Sequence, residues 1–199
     1  MNILQSYYMY NNKEETLWCL FIEGDTNAFS SLFKMYYSQL HSYGLKISSN
    51  TEITEDCLQN FFIYLFENRK GIGNVSHIKA YLFVSYRRAL LSYLKKERNF
   101  TDFDEKKIPN LNFEFSPEEL TIKQEFTSAQ RSTIIIILNN LSPREREVVY
   151  LKYYSAINTT EISKIMNISY QSVLNTLQKA FSKLRKTVEN DMLSQILRR

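Results

Sequence analysis

The chain has 199 residues, 44% of them hydrophobic and 14% aromatic, with a net charge of +4. That is enough apolar material for one ordinary domain or two small ones, and it argues against disorder throughout. Cys19 and Cys57 lie far apart and the only histidines are His41 and His77, so no zinc site, disulfide framework, metal or cofactor is expected.

Both thiols are read as reduced core groups. The opening MNILQSYYMYNNK has no early positive charge and an interrupted apolar pattern. Neither a signal peptide nor a membrane span is therefore expected, and residues 1–13 are read as a flexible N-terminus of a cytoplasmic protein without membrane insertion. Only four Gly and three Pro occur in the chain. Long stretches free of both, 74–108 and 118–142, favour helices over turn-rich sheet and predict an all-α fold.

Charge alternates in blocks. Residues 1–68 hold three Lys against eight acids, and residues 69–98 hold eight Lys or Arg against one acid. Residues 99–130 hold three Lys against seven acids, and residues 131–199 hold eleven Lys or Arg against five. Two basic blocks separated by acidic ones suggest two surfaces facing a polyanion, with a plain solvated face as the alternative for each.

The first clear helix is TEDCLQNFFIYLFENRKG, residues 54–71, with Leu58, Phe61, Phe62, Leu65 and Phe66 at helical spacing. Thr51 or Thr54 can cap its start, and Glu55 and Asp56 suit the positive end of its dipole. Asp56, Gln59, Asn60 and Ile63 remain outside, a set that suggests a partner surface.

After KGIGNVS, the segment IKAYLFVSYRRALLSYLKKE over 78–97 predicts a second long helix. Leu82, Tyr86, Ala89 and Tyr93 form a stripe with Leu90 and Leu94 beside it. The polar side is read as Lys79, Arg87, Arg88, Lys95, Lys96 and Arg98, interleaved with Tyr81, Phe83 and Tyr86. Cations neutralise phosphates and rings stack on bases, so the mixture suits single-stranded or opened nucleic acid; aromatics at this spacing are otherwise core.

Residues 99–116 lose the period and read as an acidic linker, leaving 14–98 as the first helical domain and 117–190 as the second, with 191–199 a tail. Ser116, Pro117 and Glu119 make a capping box for a helix start, and IIIIL over 134–138 is read as helix because nothing nearby offers a partner strand. Ser142, Pro143 and Glu145 repeat the capping pattern.

Ile162, Ile165 and Met166 on a short helix, Ile168 in a turn, and Val173, Leu177, Ala180 and Leu184 on the last helix give the spacing of a helix-turn-helix, with Ser163 permitting close approach. The corner usually held by glycine is Asn167, which tolerates a left-handed backbone through local hydrogen bonds. Ser169 then caps the last helix and sets Tyr170, Gln171 and Ser172 in its first turn. With the apolar stripe inward, Gln171, Asn175, Gln178 and Ser182 face outward, fringed by Ser172, Lys179 and Lys186. Amides of this kind read adenine, while lysines hold phosphate; the alternative is a solvated helix face.

The two halves together resemble a bacterial sigma factor of the extracytoplasmic function group, over roughly residues 20 to 187. GDTNAFSSLFKMYY, TEDCLQNFFIYLFEN and IKAYLFVSYRRALLSYLKK look like its region 2, and LSPREREVVYLKYY with TTEISKIMNISYQSVLNTLQKAFSKLRK looks like region 4. The resemblance implies two small helical domains joined by a linker, the second a helix-turn-helix domain. It implies that Asp56, Gln59, Asn60 and Ile63 dock on the β′ clamp helices of RNA polymerase core, with the β flap as a further contact. Relatives commonly carry an acid after the glutamine, where this chain has Asn60.

By the same likeness, Lys70 to His77, including Lys70 and Asn74, and the helix bearing Lys79, Arg87, Arg88 and Lys95 open the −10 promoter element and capture an unstacked base. Many relatives have asparagine where this chain has Arg88. Tyr170, Gln171, Ser172, Asn175 and Lys179 are implied to read the −35 element, the linker to run toward the RNA exit path, and an anti-sigma protein to be a further partner. Catalysis is then the polymerase's. One rival is a helix-turn-helix regulator with an N-terminal sensing or dimerising domain; another is a nucleic-acid enzyme built on Glu55 and Asp56.

Overall fold

The computed structural model describes residues 3–97, 113–115 and 127–190. Among these the regular structure is entirely helical, and the chain divides into two units between Pro109 and Asn110. Residues 99–112 of the linker, the Ser116 capping box and the 191–199 tail lie outside the described residues. No described helix is long and apolar enough to cross a membrane.

The first unit has four helices: α1 (Ile3–Glu23), α2 (Thr26–Ser48), α3 (Thr51–Glu67) and α4 (Ile78–Glu97), with one tight helical turn at Arg69–Gly71. Helix α1 includes residues of the stretch read as an N-terminal tail. The α1–α2 corner turns on Gly24 at φ 106°, and the Asp25 carboxylate then accepts from the backbone N–H of Asn27 and Ala28 at 2.7 and 2.9 Å.

Neither threonine expected to cap α3 does so. Asn50 is the cap, accepting from Ile53 N–H at 2.9 Å. Thr54 is instead wholly buried, its hydroxyl donating to the Asn50 carbonyl at 2.7 Å and meeting Ser48 Oγ at 2.6 Å. The physical reason is position: once Asn50 fills the cap, Thr54 falls in the first turn on the inward face.

Leu32, Tyr36, Leu40, Tyr43 and Ile47 line the inner face of α2, spaced by three or four residues, and meet Leu58, Phe61, Phe62 and Leu65 of α3. Helix α4 contributes Leu82, Phe83, Tyr86, Leu90 and Leu94. Phe83 and Tyr86 are therefore core, contrary to the reading that placed them among base-stacking groups. Tyr43 packs on Phe83 with ring centroids 5.1 Å apart, and Phe61 packs on Tyr86 at 5.5 Å. Cys57 is buried, and burial pushes its thiol up to about 11, which keeps it unreactive. Cys19 is exposed rather than in the core.

The second unit contains an extended piece, Phe113 to Phe115, then α5 (Ser128–Asn139), α6 (Pro143–Val149), a wide helical turn at Tyr150–Tyr154, α7 (Thr159–Ile165) and α8 (Tyr170–Asn190). The isoleucine run is helical, as its lack of a partner strand predicts. Three capping boxes start its helices: Thr127 with Gln130, Ser142 with Glu145, and Asn158 with Glu161. Val148, Leu151, Ile157, Ile162, Ile165, Val173 and Ala180 form the core. Phe113 and Phe115 join it against Tyr150, and the Asn139 amide clamps the Phe115 backbone, accepting from its N–H at 2.9 Å and donating to its carbonyl at 3.2 Å. The end of the stretch read as linker is thus part of this unit.

Candidate nucleic-acid interface

The corner between α7 and α8 forms without glycine. Asn167 sits at φ 52°, in the left-handed region, and the next residue closes the turn through Ile168 N–H to the Ser163 carbonyl at 2.9 Å. Ser169 caps α8 by accepting from Ser172 N–H at 3.1 Å, and its hydroxyl also lies 2.8 Å from Ser172 Oγ. Val173, Leu177 and Ala180 are buried as the apolar stripe requires.

That rotation of the helix leaves Tyr170, Gln171, Asn175, Gln178, Lys179 and Ser182 exposed, with Ser172 half-buried. Gln171 Nε2 donates to Asn175 Oδ1 at 3.0 Å, so the two amide heads meet on the outer face. Position alone does not fix α8. Lys183 Nζ lies 2.8 Å from Glu145 Oε2, which also accepts from Ser142 N–H at 2.8 Å. Burial by itself raises the Glu145 pKa, but the bonds from Lys183 and Ser142 outweigh it and hold the carboxyl below the ordinary glutamate range. One buried carboxylate thus joins the start of α6 to the second half of α8. Sequence showed its capping role and not this second partner, because the Lys183 contact spans 38 residues.

In the first unit, α3 presents Asp56, Gln59, Asn60 and Ile63 to solvent, with Ile63 48% exposed. Beside them runs a groove of about 610 Å³ between α2 and α3, floored by Phe29, Phe33, Tyr37, Phe62 and Phe66 and rimmed by Glu55, Gln59 and Glu67. The groove was not read from sequence. Its signal was present, since Phe29, Phe33 and Tyr37 recur every four residues along α2, but that stripe is also what a core would show.

The −10 candidates divide. Lys70, Asn74 and Arg88 are exposed, and Lys79 and Lys95 are half-buried. Arg87 is only 5% exposed and is removed from the outward set: α4 turns it toward the interior beside Tyr86. Lys70 and Asn74 belong to the loop after α3, where an open pocket of about 680 Å³ is lined by Tyr64, Asn68, Lys70, Gly73, Asn74 and Tyr81. Neither Gly71 nor Gly73 has a heavy atom within 4 Å of where a Cβ would stand, so both leave room at the pocket wall. Tyr81 packs edge-on against Trp18 at 5.7 Å, which steadies one side.

Comparison with known proteins bears on the family and the fold. The model of the family described as sigma-70, region 4, matches residues 137–186, which contain the corner and most of α8. The extracytoplasmic function RNA polymerase sigma factor SigM of Bacillus subtilis is 26% identical over 157 residues, covering 77% of this chain and 91% of that protein. An RNA polymerase sigma-E factor of Streptomyces avermitilis is 25% identical over 139 residues, covering 68% and 71%. Among solved structures, CnrH in complex with the cytosolic domain of CnrY shares the fold with a TM-score of 0.59 at 15% identity, covering 90% of this chain and 99% of that one. The sigma factor RpoE of Bartonella quintana, solved with the anti-sigma factor NepR, gives 0.56 at 19% identity, covering 82% and 98%. An all-helical chain with this corner and this exposed amide helix is thus similar, over most of its length, to sigma factors of the extracytoplasmic function group, and its residues 137–186 match sigma-70 region 4.

Proposed function

We propose that the two units divide promoter recognition between them, with the α8 unit gripping intact −35 duplex while the α1–α4 unit takes up opened −10 strand and docks on polymerase core. The chain binds RNA polymerase core and directs promoter-specific initiation. It makes and breaks no covalent bond; it redistributes binding energy toward the opened state. The observation that carries this reading is the outward face of α8: Gln171, Asn175 and Lys179 are exposed together while Val173, Leu177 and Ala180 are buried.

In this scheme Gln171, Ser172 and Asn175 read base edges, and Tyr170 and Lys179 contact the backbone. Lys70 and Asn74 hold the displaced strand at the pocket after α3, whose aromatic walls offset the few kcal/mol needed to unstack a base. Arg88, Lys79 and Lys95 on α4 supply phosphate contacts. Asp56, Gln59, Asn60 and Ile63 meet the β′ clamp helices, and the β flap is a second polymerase contact. An anti-sigma protein, of the kind solved with RpoE, is a further partner.

Lys179→Ala tests the phosphate role. Affinity should fall evenly across promoter sequences, and the slope of log affinity against log salt should flatten by about 0.9. An effect confined to particular −35 bases would assign Lys179 to base reading instead. The rival regulator leaves the α3 face and the loop pocket without a role. The enzyme reading needs paired free carboxylates, and Glu55 instead lies 3.6 Å from His41 Nε2.

A further inference from the structure

We infer that Gln171 and Asn175 act as one composite reader of a single adenine, rather than as two independent readers of separate bases. The inference rests on the −35 role proposed for α8 and specifies its chemistry. Residues four apart on a helix are separated by about 6 Å of rise, close to two base-pair steps of about 3.4 Å each. Independent readers at that spacing would address separate positions, about two steps apart. Here the two amide heads converge to 3.0 Å, less than one step, so they meet the groove at one base pair.

The hydrogen-bond inventory fixes what the pair presents. Gln171 spends one Nε2 hydrogen on Asn175 Oδ1, which leaves its own Oε1 as an acceptor beside the two Nδ2 hydrogens of Asn175. Exchanging O and N in both amides reverses the direction of the bond and still leaves one acceptor beside one donor. That pattern complements adenine, which offers the N6 amino donor next to the N7 acceptor in the major groove. Guanine offers two acceptors, cytosine a donor alone, and thymine an acceptor with a methyl group. The amide–amide bond also fixes both side chains in advance, which lowers the ordering cost of binding. Ser172, whose hydroxyl lies 2.8 Å from Ser169 Oγ, takes no part in the pair.

The test combines the full chain with polymerase core and measures initiation on promoters whose −35 positions are changed one at a time. Gln171→Ala, Asn175→Ala and the double variant are compared with the unaltered chain. Each single variant should relax discrimination at the same A·T position by about tenfold, and the double should lose no more than the worse single. Replacing that adenine by 7-deazaadenine should cost the unaltered chain about tenfold and the double variant nothing. If the two variants relax different positions and their effects add, the composite reader is wrong while −35 reading by α8 stands. If neither relaxes any position, or both weaken all sequences equally, base reading by this face fails as well.

Discussion

Asn167 shows how much a single backbone angle decides. Its φ of 52° lies where a β-branched residue is strained, and Asn is accepted because its short amide bonds locally. Asn167→Val should lower stability by about 1–2 kcal/mol, whereas Asn167→Gly should hold or raise the unfolding midpoint in chemical denaturation. This position was legible in sequence because turn chemistry is local. Arg87 was not: helical periodicity places a residue on a flank, but only the packing of α4 against its neighbours decides whether that flank is covered.

At Glu145 the same scale governs pH dependence. Its folded pKa lies below the ordinary value of 4.5, so the stability it contributes is fully present above that value and is lost as pH falls through the lower, folded one. Glu145→Gln keeps an acceptor for Ser142 N–H and removes the charge facing Lys183. The variant should therefore be less stable than the parent at neutral pH, and the difference should vanish toward acid, below the ordinary glutamate range. Denaturation curves from neutral to acid pH would show it; a constant gap would mean the carboxylate charge contributes nothing.

Between elements, the approach of α2 to α4 turns on one absent side chain. A Cβ on Gly44 would overlap Tyr86 Oη and lie 2.9 Å from its Cζ and 3.0 Å from Thr54 Cγ2. Gly44→Ala should destabilise the first unit by about 1–3 kcal/mol, as overpacking does. Adding Tyr86→Phe removes the overlapping oxygen and should recover part of the loss in a double-mutant cycle; strict additivity would place the strain elsewhere. The Ser142 box and the α8 stripe were readable because capping and amphipathicity are properties of one segment. The aromatic groove and the Glu145–Lys183 bond were hidden because each joins two segments that sequence cannot pair.

One element-level feature resists the division of roles. Tyr153, 60% exposed, meets Phe181, 43% exposed, edge-on at 5.6 Å, on a flank of α8 away from the amides. The pair is apolar surface that base reading does not use. Phe113 and Phe115, by contrast, show a linker end drawn into a core: Asn and Asp around them suggested loop, while the aromatic pair two residues apart was the signal that both side chains face one way.

For the whole molecule, each unit carries one of the two basic blocks, 69–98 in the first and 131–199 in the second, and the fold class followed from the scarcity of Gly and Pro. Residue-level roles depend on a single claim: α3 carries a polymerase-docking face while α8 independently carries a duplex-gripping one. The direct measurement mixes purified chain with RNA polymerase core, then follows co-elution and opening of promoter DNA for the parent and for Ile63→Glu. The account predicts that the parent co-elutes with core and opens the promoter. It also predicts that Ile63→Glu loses core association by at least tenfold, about 1.4 kcal/mol, with its affinity for −35 duplex unchanged. A parent chain that binds duplex as a dimer and ignores core, or an Ile63→Glu chain that binds core as well as the parent, would contradict it.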